Sequence, residues 1–500
     1  MTYLVGIDIG TSSVKSLILQ AESAHTLATA ICEYPIHKPH IGHAEQDPDD
    51  WWNAAAQTTR QALQESGVDP ASIRAVGLSG QMHGTVCLNT AMRPVRPAII
   101  WADSRSTAEV ADLLGRASPV DLAHRAPGWP ATGFMATTLM WLARHEPETL
   151  RDTQTVILPK DYVRMRMTGS LQTDTSDAAS TWLLDTSTGK WSEWLLELCG
   201  LEPHYLPPVV GSAEVVGGLT PEAARDLGLL QGTPVVAGCA DQPAQALGYG
   251  LADPGTALVT IGTGGQVLHP LKAPRSDPQM RAYVLNHAVP DRWYAMAAIL
   301  VAGLALRWLR DTLGLTGHPD AYRHLSELAA EAPAGADGLL FVPHLLGNRS
   351  PQVGARASGA FTGLKLHHGV SHLARAVMEG VAYGMAECIA VVKGLSEEEL
   401  PLQVVASGGA TRSALWLQIQ ADVYNTPLML VEGENHACIG AALLAGVGSG
   451  VYGSFQEACA RLPQPTTAAI PNPADASRYR EGFAHYQSIR STLETLSGHG

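Results

Sequence analysis

The chain opens with two apolar runs, YLVGIDI and VKSLIL, separated by Gly10, Thr11, Ser12 and Ser13. That spacing predicts a β-hairpin with a tight polar turn. From Thr256 the pattern recurs, TALVTIG and QVLH being separated by Thr263, Gly264 and Gly265. Two hairpins of one kind, one opening each half of the chain, predict a duplicated architecture with the turns facing each other. Between them, IRAVGLS (73–79) and TPVVAGCA (233–240) have the pattern of buried strands, and segments starting near Asp47, Asp103, Thr137 and Lys160 carry helical spacing. The second half repeats the alternation, with helices expected over 296–313, 372–393, 412–424 and 438–446 and a strand over 402–407. A Pro- and Ala-rich connection over 463–476 leads to a final amphipathic helix over 478–496. The expected fold is α/β, with mixed sheets covered by helices.

Length and charge narrow this picture. A single core stops growing at roughly 250–300 residues, so 500 residues predict two domains, 1–247 and 248–500, and a cleft between them as the first place for a site. A formal net charge of -14 offers no grip on nucleic-acid phosphates and disfavours anionic membranes. The longest apolar run, 295–306, falls short of the roughly 20 residues of a membrane span and is expected to be a buried helix. MTYLVGIDIG lacks the basic region of a signal peptide, and seven cysteines without a CxxC argue against disulfides and zinc. Both observations point to the cytoplasm.

The chemistry-bearing motifs are glycine-rich. No GxxxxGK[ST], HExxH or GxSxG occurs, and the GxGxxG at Gly448, Gly450 and Gly453 follows a helix instead of a strand. The first turn offers backbone N–H groups and the hydroxyls of Thr11, Ser12 and Ser13, a donor array suited to phosphate. Asp8 precedes it, and a carboxylate beside phosphate implies an intervening Mg²⁺. A second turn of the same kind, Gly262, Thr263, Gly264 and Gly265, would let two turns clamp one polyphosphate. Asp241 follows an apolar run and opens a helix; it suits a general base for an attacking hydroxyl and equally a simple N-cap. Gly408 and Gly409, between a strand and a helix, would admit a flat ring or merely form a tight turn. Met82 and His83 lie in a loop where a histidine can reach a sugar hydroxyl, although an isolated loop histidine usually has no specific role.

Together these segments resemble the FGGY family of carbohydrate kinases. The resemblance runs through GIDIGTSSVK (6–15), EQDPDDWW (45–52), GLSGQMHG (77–84), IIWADSR (99–105), LPKDYVRMRMTG (158–169), TDTSDAAST (173–181), GCADQ (238–242), IGTGG (261–265), GAFTGL with HLARAVMEG (359–380), and SGGATRSALW (407–416). It implies two ATPase domains of the actin and hexokinase type, which are ribonuclease H-like, around a catalytic cleft. It also implies ATP and Mg²⁺, a small sugar as the other partner, and a state consistent with a homodimer. By the resemblance Asp241 is the base and Asp8 the carboxylate beside Mg²⁺. Met82 and His83 fall at the sugar contact, with Trp101 and Asp103 near it. Thr11, Ser12 and the Gly262–Gly265 turn fall at the phosphates, and Gly408 with Gly409 at the adenosine. QMHG with EQDPDDWW and LPKDYVRMRMTG is most similar to members that phosphorylate D-xylulose on its 5-hydroxyl. The rivals are a kinase of the family for another ketopentose or a polyol, and a nucleotide-driven binding protein of the actin-like class.

Three positions depart from the family pattern. Thr138 stands where a lysine is usual, Asn348 stands at the acidic position of SGER, and Gln242 replaces the commoner asparagine after the base. A longer amide at 242 would reach further into a sugar pocket, so it bears on which sugar is used.

Overall fold

The computed structural model describes residues 1–347, 357–396 and 402–497. Two seven-stranded sheets organise the chain. In the first, the order is Val215–Gly218, Pro234–Val236, Ile73–Gly80, Tyr3–Ile9, Ser13–Gln20, His25–Glu33, with Cys239–Ala240 also beside Ile73–Gly80. In the second it is Thr466–Ala469, Leu428–Leu430, Gln403–Ser407, Thr256–Ile261, Gly265–Leu271, Trp293–Ile299, Tyr283–Asn286. Each opening strand runs antiparallel to its hairpin partner and parallel to the strand on its other side. The outer strands agree in direction as well. The duplicated architecture expected from the two hairpins is therefore present in six matching positions of each sheet.

Each sheet has its own core. Val5, Ile7, Trp51, Val76 and Tyr162 belong to the first, and Val259, Val267, Phe341, Val377 and Val404 to the second. The helix Pro48–Ser66 carries the EQDPDDWW segment: Asp47 caps it by accepting from the Asp49 N–H, Pro48 occupies the first turn, and Gly67 ends it at φ 64°. One late helix, His436–Gly448, packs against the first sheet together with Asp241–Gly248. Gly6 and Gly77 are register partners on neighbouring strands. A Cβ on them would lie 2.0 Å from the Cys438 carbonyl oxygen and 1.9 Å from that of Ala441. The two bare positions make a flat patch on which the helix backbone rests, and this brings residues 435–437 to the end of strand Tyr3–Ile9.

Three expectations are corrected. The apolar run 295–306 is not one helix: Trp293–Ile299 is a strand paired on both edges, and the helix Gly303–Thr312 starts after it. Every residue of WYAMAAI is apolar whichever face it takes, so the strand lacks alternation and mimics a buried helix in sequence. The run 233–240 is broken by Gly238 at φ 86° into Pro234–Val236 and Cys239–Ala240. The 463–476 connection contains the strand Thr466–Ala469, and the last helix begins at Pro473. Among the described residues no helix is long and apolar enough to cross a membrane.

Candidate active site

A cavity of about 620 Å³ lies where the ends of the two sheets meet, lined by Asp8, Lys15, Asp241 and Gln242 on one side and by Ser407, Gly408 and Gly409 on the other. Asp8, on the first strand, has Lys15 and Ser79 as its register partners, and Ser79 Oγ donates to Asp8 Oδ1 at 2.6 Å. Burial raises the Asp8 pKa, with the Ser79 hydrogen bond and the Lys15 charge opposing it. Asp241 is the first residue of helix Asp241–Gly248. Ala240 occupies the N-cap, and no side chain caps the helix, so the N-cap alternative for Asp241 falls away. Its Oδ1 is buried without a hydrogen-bond partner among the described residues. Burial, and then the negative charge of Asp8, push its pKa up to about 7. A carboxyl poised there with an uncommitted oxygen can take a proton from a hydroxyl near neutral pH.

The two turns are held differently. In the first, the Gly10 N–H bonds the Ser13 carbonyl at 3.0 Å and the Tyr34 hydroxyl donates to the Gly10 carbonyl. Gln46 Nε2 donates to the Thr11 carbonyl at 2.7 Å, and Gln46 Oε1 accepts from Gln81 Nε2 at 2.8 Å and from Trp51 Nε1 at 3.2 Å. The EQDPDDWW segment thus braces the turn, leaving Ser12 exposed. In the second, the Gly262 N–H bonds the Gly264 carbonyl at 2.9 Å, and the Gly262 and Thr263 carbonyls accept from the N–H groups of Ala302, Gly303 and Leu304 at the start of Gly303–Thr312. Gly262 and Thr263 are exposed, and Gly265 is buried against Met385. Gly408 has φ 84°, and a Cβ there would lie 2.5 Å from the Ile261 carbonyl oxygen. A glycine is needed for the strand-end packing itself; at Gly409 nothing closer than 4.0 Å opposes a Cβ.

The sugar-site candidates lie on the first lobe. His83 has φ 71° and stacks on Phe134 with centroids 4.0 Å apart. Its backbone N–H donates to Ser180 Oγ at 3.1 Å and its Nδ1 lies 2.5 Å from the Ser180 carbonyl, which puts the ring proton on Nδ1. Met82 is buried and packs with Ala178, Ala179 and Ala240, immediately before Asp241. Trp101 is 44% exposed and donates Nε1–H to Thr11 Oγ1 at 2.8 Å, so it touches the first turn. Asp103 is buried: its carboxylate accepts from the Ala44 N–H at 2.6 Å and pairs with Arg105 at 2.8 Å. Gln242 turns toward the second sheet, where its Oε1 accepts from Gln266 Nε2 at 2.6 Å.

Asp8, Asp241, Gln242, Gly408 and Gly409 thus share one cavity. Met82, His83, Trp101, Asp103, Thr11, Ser12 and the second turn do not line it. Lys15 and Ser79 lie inside the motifs at 6–15 and 77–84, whose local pattern gives them no role, and no local pattern signals the contacts of Phe134 and Gln46. Thr138 is buried in helix Met135–His145. Asn348 lies outside the described residues.

The family model for the N-terminal domain of FGGY carbohydrate kinases matches residues 3–248, and that for the C-terminal domain matches 257–449. The xylulose kinase of Escherichia coli (strain K12) is 35% identical over 98% of this chain and 98% of its own, and that of Bacillus subtilis (strain 168) 33% identical over 99% and 98%. The crystal structure of xylulose kinase from Rhodospirillum rubrum superposes with a TM-score of 0.92 at 30% identity, covering 99% of this chain and 100% of that one. Two domain matches in order, and relatives aligned almost end to end, show that the chain belongs to the FGGY family of carbohydrate kinases.

Proposed function

We propose that the protein transfers the γ-phosphoryl group of ATP to the 5-hydroxyl of D-xylulose, with Asp241 as general base. The observation that carries the chemistry is the buried, unpartnered Oδ1 of Asp241 in a cavity bounded by both sheets. The choice of D-xylulose is supported by the full-length similarity to xylulose kinases.

In this reading the sugar rests on the first lobe against His83, Met82 and Trp101. The adenosine lies over Gly408 and Gly409, and the triphosphate is held between Thr11 with Ser12 and the Gly262–Gly265 turn. Asp241 accepts the hydroxyl proton as the oxygen attacks phosphorus, and the turn N–H groups bear the charge that develops on the transferred group. Two carboxylates on one cavity, one with an uncommitted oxygen, fit a hard divalent cation that takes its remaining ligands from water and phosphate. Asp8 would hold Mg²⁺ through water, and the bound ion would neutralise phosphate charge. Positioning dominates such a reaction, which explains why glycines and bracing hydrogen bonds outnumber reactive groups.

The test is Mg-ATP-dependent ADP release with D-xylulose, D-ribulose, L-ribulose, L-xylulose, glycerol and gluconate, with Asp241→Asn in parallel. Preference for D-xylulose, lost in the variant, is expected. Preference for another acceptor would keep the kinase and change the sugar. No rate above the sugar-free background would favour an ATP-driven binding protein.

A further inference from the structure

Against Gly80 and Gly238, at the strand ends that lead to Asp241, lies a fully buried ion cluster that the proposed reaction does not use. Lys160 Nζ is 2.7 Å from Asp161 Oδ1, 2.9 Å from Asp174 Oδ1 and 3.6 Å from Asp177 Oδ2, and Arg164 Nη1 is 2.8 Å from Asp161 Oδ1, all with side-chain exposures of 0%. The lysine stem crosses Gly80 and Gly238, where a Cβ would lie 2.9 and 3.0 Å from it. Two cations thus face three carboxylates in the interior, an arrangement that is costly to desolvate and adds little net stability over an apolar core.

Two hydrogen-bonded arms leave this cluster. Asp174 Oδ2 accepts from Ser176 Oγ at 2.6 Å, and Ser176 Oγ accepts from the N–H of Ala240 at 3.1 Å, one residue before Asp241. Asp177 Oδ1 accepts from Ser180 Oγ at 3.3 Å, and Ser180 Oγ accepts from the N–H of His83 at 3.1 Å. The carboxyl oxygens at the root orient each serine so that its lone pairs meet the backbone N–H.

We propose that the Lys160 cluster is a positioning element that holds the backbone of the base, through Asp174 and Ser176, and the backbone of the sugar-contacting His83, through Asp177 and Ser180, in one rigid frame. This rests on the roles proposed above for Asp241 and His83. Neither serine touches substrate; each acts through the residue it holds.

Removing Lys160 strands buried carboxylates, so Lys160→Met is expected to lose stable protein. The informative variants are Ser176→Ala and Ser180→Ala, which keep the ions and cut one arm each. Ser176→Ala should lower kcat about tenfold, within the loss that a small misplacement of a reacting group causes, while the sugar KM stays unchanged. Ser180→Ala should raise the sugar KM about tenfold with kcat and the ATP KM unchanged, the pattern of lost binding alone. A purely structural cluster would not split kcat from KM between the two arms. Wild-type kinetics in both, or equal losses of kcat and KM in both, would overturn the proposal. Asp241→Asn and His83→Ala run alongside: near wild-type turnover in the first, or equal effects on sugar and ATP KM in the second, would remove the role on which that arm depends and overturn its assignment.

Discussion

Gln242 Oε1 accepts a 2.6 Å hydrogen bond from Gln266 Nε2, joining the second residue of the Asp241 helix to the strand that leaves the second turn. Gln266 sits in register between Thr260 and Ala298 in the middle of the second sheet. The contact therefore ties the start of the Asp241 helix to the sheet that carries the second turn. Shortening the amide in Gln242→Asn should break it, as should Gln266→Ala. The two changes should be non-additive by about 1 kcal/mol, the worth of one such bond, when Tm is followed in a double-mutant cycle. The ratio of rates with D-xylulose and D-ribulose should stay unchanged, because the amide carbonyl is committed to Gln266. A changed ratio in Gln242→Asn alone would return that residue to the sugar pocket.

The raised pKa of Asp241, the proposed base, should set the acid limb of activity. If Asp241 acts as the proposed base it must be ionised, so kcat/KM for the sugar should fall about tenfold per pH unit below about 7 and level off above it. Asp8 supplies the second cause of the shift, after burial, so Asp8→Asn should move the Asp241 titration to lower pH. Carboxyl NMR of the free protein reads this without relying on turnover.

The same shift has a cost in stability, and its sign is fixed. Between the ordinary carboxylate range and about pH 7 the folded protein binds more protons at Asp241 than the unfolded chain does, so stability falls as pH rises through that window. Asp241→Asn removes the buried charge. Its Tm should exceed that of the wild type at pH 8, and the difference should vanish near pH 4. Turnover in this variant should drop by about 10²–10⁴, and sugar binding, read by thermal shift, should persist.

The stacked pair His83 and Phe134 predicts a shared effect on the sugar. His83→Ala should raise the sugar KM far more than the ATP KM. Phe134→Ala, which removes the ring 4.0 Å from the imidazole, should follow it in direction with a smaller size. Steady-state kinetics with each substrate varied in turn separates the two. A Phe134→Ala effect on the ATP KM alone would place the pair outside the sugar site.

The two hairpins, the glycines of their turns and the carboxylates of Asp8 and Asp241 were legible in the sequence because each rests on local patterning within a dozen residues. Repetition of that pattern sufficed for the duplicated α/β architecture, and the ordered motifs sufficed for the family. The strand Trp293–Ile299 has the pattern of a helix in sequence, because its identity lies in ladders to Gly265–Leu271 and Tyr283–Asn286 that leave no alternation in the run itself. The partners of Asp8 and His83, namely Ser79, Phe134 and Ser180, come from distant segments, and no local spacing announces them. The same holds for Lys160: one charged residue in a recognised motif acquires its part only when Gly80, Gly238 and three aspartates close around it. Motif chemistry is thus written in neighbouring residues, whereas burial, pKa and the aim of each side chain depend on contacts that exist only once distant segments pack.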